Sequence, residues 1–150
     1  MTKRIISTIL VCVLLFSLCL SLASCGEVSF KSITGIDSFT EIAKIVIVSN
    51  IYAHNGHVEH AFLKEYILEK DILEIYNILS RADYRREKVD GSRVPQYIIE
   101  IYVKDKDGYI EYQWDKSFSK CDYTGKLKSG EYSMDEADKF MAKIDEIFNR

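Results

Sequence analysis

All three histidines of this chain fall within seven residues: His54, His57 and His60. Clustered imidazoles suggest a transition-metal site. Asn55-Gly56, between them, is the preferred dipeptide of a type I′ hairpin. In such a hairpin His54 and His57 are directly opposed on one face, about 5.5 Å apart at Cα. His60 lies three positions beyond His57, so alternation puts it on the other face. Glu59 shares the face of His57 and could add a third ligand. Without a bulge the three imidazoles cannot converge. His54 and His57 therefore stand as metal-ligand candidates. The bland alternative is a polar hairpin tip titrating near pH 6.5.

Little else in the chain has the pattern of catalysis. Asp105 and Asp107 flank a turn, which accounts for both. Glu131 and Asp135 lack the context of a glycosidase or nuclease. Arg85, Arg86, Lys88 and Arg93 make a basic stretch interrupted by Glu87 and Asp90. It could touch anionic lipid or wall polymers, or be a solvated loop. There is no Ser-His-Asp pattern, phosphate loop or CxxC. The expectation is a protein that is not an enzyme. The formal net charge of −3 argues against nucleic acid as a partner. A chain that is 47% hydrophobic and 29% charged, with 1 Pro, is a folded domain rather than a disordered one.

The first residues say where such a domain would be. Lys3 and Arg4 precede an uncharged apolar run from Ile5 to Leu22. Basic residues before it and small residues after it give the pattern of a secretory signal. The run ends in Leu22-Ala23-Ser24-Cys25. This resembles the lipobox of bacterial lipoproteins, in which a Cys follows two small residues directly behind the apolar run. The resemblance implies a diacylglyceryl group on the Cys25 sulfur and cleavage just before it. It also implies a place on the extracytoplasmic face of the cell membrane. Each acyl methylene adds about 0.8 kcal/mol of membrane affinity. Loss of the signal leaves 18 basic against 23 acidic residues, a formal −5, and only Cys121 as a free thiol. No intrachain disulfide is then available, and the core must supply the stability. A lone Cys121 is either a small buried hydrophobe or a nucleophile.

Residues 25–40 read as the lipidated N-terminus and a short tether behind a 1–24 signal peptide, with 41–150 a single domain. Ile42 to Ile51 is rich in β-branched residues and predicts a strand. Glu59 to Leu68 predicts its hairpin partner. Asp71 and Glu74 form a capping box before a wide apolar stripe, and Ser133-x-x-Glu136 a second one before a C-terminal helix. Arg85 to Val94 reads as a loop. Asp107-Gly108, taken as a two-residue turn, sets a register with Val103 opposite Tyr112, Ile101 opposite Trp114 and Tyr102 opposite Gln113.

The expected order is ββαββ(β)α. This predicts an α+β domain with a mainly antiparallel sheet of 4–5 strands and two helices packed on one face. It is similar in organisation to small Gram-positive lipoproteins of unknown function. The other sheet face would then be open, carrying Ile98, Tyr102 and Tyr109. Exposed aromatics on a sheet can anchor a protein or cell-envelope partner. The leading expectation is a membrane-anchored, non-enzymatic binding or interaction module without a cofactor beyond the lipid. The alternatives are an immunity or inhibitor protein against an exported enzyme or toxin, and a metal-binding protein using His54 and His57.

Overall fold

The computed structural model describes residues 26–52, 58–88, 95–113 and 117–150. The strands are β1 (Glu27–Val28), β2 (Ile42–Tyr52), β3 (Val58–Tyr66), β4 (Tyr84–Arg86), β5 (Tyr97–Val103), β6 (Tyr109–Gln113), β7 (Ser117–Cys121) and β8 (Gly130–Met134). The helices are α1 (Phe30–Thr34), α2 (Glu69–Ser80) and α3 (Ala137–Phe148), with a 3-10 turn at Phe39–Glu41. The strands form one antiparallel sheet in the order β1-β4-β8-β7-β6-β5-β2-β3. Eight strands and three helices among the described residues replace the expected 4–5 strands and two helices. The added pieces are short. β1 and β4 have two and three residues, too few to show a period of their own, and they exist by pairing with β8 and each other.

Cross-strand partners share a face, so the register sorts the sheet. Lys64, Ile47, Ile99, Tyr112, Phe118 and Gly130 make one continuous row. All three helices pack on that face. Phe30 of α1 meets Phe118 edge-on. Tyr84 donates to the Leu79 carbonyl of α2 at 2.8 Å. The rings of Tyr97 and Phe148 of α3 lie 5.6 Å apart. Phe118 is the hub, with the rings of Phe30, Tyr84, Tyr112 and Tyr132 around it. Such pairs add to the burial term, which is the main source of stability where the described residues hold no disulfide.

The stretch read as a tether is part of this core. Phe30, Ile33 and Ile36 are buried with Ile45, Ile75 and Tyr84. Ser29 caps α1 and Gly35 ends it in the left-handed region. A capping box on Ser38 and Glu41 then turns the chain into β2. Within α1 only Phe30 and Ile33 mark an apolar face, one turn apart, too little to be distinguished from scattered residues.

Three local expectations change. The β5–β6 connection is a five-residue loop, 104–108, with Asp105 and Gly108 at positive φ. Asp tolerates that region, so the chain turns first at Val103–Lys106. The register becomes Ile101 opposite Ile110 and Ile99 opposite Tyr112. Face assignment survives, because the shift is even. Helix α2 begins at Glu69 behind Leu68, without a side-chain cap, and Asp71 sits in its first turn. Ser133 lies in β8 opposite Arg85, so it cannot cap α3. Glu136 precedes that helix in the left-handed region instead.

Candidate functional site

The face away from the helices has no covering element among the described residues. Its register runs in three rows. Leu63, Val48, Ile98, Gln113 and Ser117 form the first. Glu65, Val46, Glu100, Glu111 and Ser119 form the second. Lys44 beside Tyr102, and Tyr109 beside Cys121, form the third. Alternation puts these side chains here because Ile45, Ile47, Ile99, Ile101, Ile110 and Tyr112 point to the helices.

The expected surface residues Ile98, Tyr102 and Tyr109 all lie on this face and are half-buried. The structure brings Tyr102 and Tyr109 together, with ring centroids 5.1 Å apart and planes tilted by 34°. Lys44 Nζ sits 4.5 Å above the Tyr102 ring and 2.6 Å from Glu65 Oε1. Such an arrangement is a cation held by an aromatic face and a carboxylate. Val46 is buried on this side, shielded by the stems of its longer neighbours.

Glu100 and Glu111 have neutral partners. Tyr102 donates its hydroxyl to Glu100 Oε2 at 2.9 Å. Gln113 donates its amide to Glu111 Oε1 at 3.0 Å, and Cys121 Sγ is 3.9 Å from Glu111 Oε2. Burial, then Glu100, pushes Tyr102 up to about 12. A hydrogen bond to Cys121, then burial, raises Tyr109 further. Burial also pushes the Cys121 thiol up, reinforced by Glu111 and Glu100. The thiol therefore stays protonated at neutral pH and has surroundings opposite to those that activate a cysteine nucleophile.

Sequence reasoning missed the acidic row. Lys44, Glu65, Glu100 and Glu111 carry no motif, and only the register aligns them. Alternation from Tyr102 would have placed Glu100 beside it. The expected register, with Val103 opposite Tyr112, puts Lys104 opposite Glu111, which hid the pairing of two glutamates.

His54 and His57 lie outside the described residues, as does Trp114. The β2–β3 ladder has an irregularity between Ile51 and Tyr52. Among the described residues no group of three His, Cys, Asp or Glu could hold a metal. Arg85 and Arg86, read as loop, stand in β4. Arg85 forms an ion pair with Asp135 at 3.0 Å. A groove of about 510 Å³ runs between α2 and α3. Arg150 spans it to Glu74 at 2.9 Å and Glu146 at 3.0 Å, so these charged groups pair with each other.

The tyrosines set the alkaline limit of the fold. Burial holds Tyr84 well above the ordinary phenol value. Burial and a hydrogen bond to Asp145 push Tyr97 up to about 12. Unfolded phenols ionise near pH 10, so above that pH the unfolded chain has lost protons that the native one keeps. Stability is complete below about pH 10 and falls as pH rises through about 12. Absorbance at 295 nm and far-ultraviolet circular dichroism, followed together, should show the last phenolates appearing only as the fold melts. Full ionisation near pH 10 with the fold intact would contradict this.

Comparison with known proteins finds no family model, no curated protein and no solved structure that matches this chain.

Proposed function

We propose that this chain is a lipid-anchored lipoprotein of the extracytoplasmic face of a bacterial membrane, acting without catalysis through its open sheet face. The observation that carries the reading is that face: half-buried Ile98, Tyr102 and Tyr109 on the side of the sheet opposite all three helices. Partly exposed aromatics on a rigid sheet have little entropy to lose on binding and are efficient anchors. The anchor itself is read from Leu22-Ala23-Ser24-Cys25. With lipid on Cys25 and β1 starting at Glu27, the domain sits against the bilayer with almost no tether. Its partner then works at the same surface.

A photo-crosslinking residue in place of Ile98, in the full-length chain expressed in its own cells, tests this. The same residue at Lys70, exposed on α2, is the control. One discrete adduct from position 98, absent from position 70 and lost with Tyr102→Ala, is expected. Equal products from both positions, or none from position 98, would overturn the reading. Substituting Cys25→Ser should abolish incorporation of labelled fatty acid and leave the chain at the larger mass of the uncleaved precursor, with its apolar leader still attached.

A further inference from the structure

Glu100 and Glu111 stand directly opposite each other on neighbouring strands. Like charges in that position destabilise a sheet. Among the described residues neither carboxylate forms an ion pair, and both are held by neutral donors. Glu65 continues the row across Val46, where Lys44 does neutralise it. That contrast is informative. Lys44 shows how this surface takes a cation, with a carboxylate at its side and a tyrosine ring beneath it. Glu100, Glu111 and the Tyr109 ring present the same parts one strand over, without the cation. Local rules are broken in this way mostly where function requires it.

The geometry points to a basic segment of a partner protein as the occupant of the open face. An arginine or lysine would seat over Tyr109 between Glu100 and Glu111, and an apolar side chain would lie on Val48, Ile98 and Leu63. Leu63 is 64% exposed, and these three residues form one unbroken apolar row beside the acidic one. Charge complementarity sets the partner's sign, and the aromatic pair favours arginine, whose planar guanidinium stacks. This inference rests on the reading of the open face as the interaction surface.

The test uses the full-length chain in mild detergent and a fluorescent peptide of alternating arginine and leucine. A glutamate–leucine peptide is the control ligand. Wild type should bind the arginine peptide with an affinity that falls with salt. Glu100→Gln with Glu111→Gln should weaken it roughly tenfold, while Glu69→Gln with Asp138→Asn on the helical side should change it by less than about twofold. The Glu100→Gln, Glu111→Gln protein should unfold at an equal or higher urea concentration, which separates lost binding from lost fold. Equal weakening in both double variants, no weakening in the first, or equal binding of the glutamate peptide would overturn the inference. If no peptide binds but the crosslinker at position 98 still captures one protein, the cation inference falls and the face reading stands. If both fail, both fall.

Discussion

Gly108→Ala should destabilise the domain by about 3 kcal/mol or more, through left-handed strain added to a backbone clash. Gly108 has φ +71°, a region that costs an alanine about 1 kcal/mol or more. Its α-carbon also lies against another segment. A Cβ there would sit 2.2 Å from the Asp122 carbonyl carbon and 2.3 Å from the Asp122 and Cys121 carbonyl oxygens. These are backbone atoms, and Asp122 is itself held at positive φ. The amide of Thr124 donates to the Asp107 carbonyl at 3.2 Å, so the two loops cannot separate without losing that bond. Thermal unfolding should fall by roughly 10 °C. Gly26→Ala, where a Cβ meets nothing within 4 Å, should leave it unchanged. A Gly108→Ala protein melting with the wild type would show that the loops are free to part.

Phe30→Ala should cost about 3–5 kcal/mol, the usual loss for a large aromatic deleted from a core. The ring is 1% exposed. It meets Tyr76 of α2 at 5.9 Å and Phe118 of β7 at 6.0 Å, both edge-on. A residue in a tether would give no change at all. Urea unfolding of the domain from Gly26 onward distinguishes the two, with a lower midpoint at an unchanged slope expected. An unmoved midpoint would detach residues 30–36 from the core.

What could be read from the sequence was periodic. Ile72, Ile75, Ile78 and Leu79 mark their helix, and all are buried. The alternation of Tyr97, Ile99, Ile101 and Val103 fixes which face turns inward. Register was not legible, because it depends on the conformation of Asp105 and on packing between the 104–108 loop and residues 121–124. Neither leaves a local signal. The same holds for β1 and β4, whose pairing partners are far away in sequence. The acidic row followed from register and was lost with it. Ile98, Tyr102 and Tyr109 needed only parity, which is why they could be named in advance.

The strand order has a kinetic consequence. β8 lies between β7 and β4, and β1 joins only through β4. The pairings β1–β4, β4–β8 and β2–β5 join residues roughly 46 to 61 positions apart, which makes this a slow-folding topology, in the range of milliseconds to seconds. One flank of the sheet cannot close until the chain is complete as far as residue 134. Until then Phe30 and Tyr84 wait beside an incomplete sheet with their rings unburied. A chain made in this order keeps apolar surface exposed until it is complete, the condition under which aggregation competes with folding, and shortening it at β8 should leave both ends unfolded rather than one.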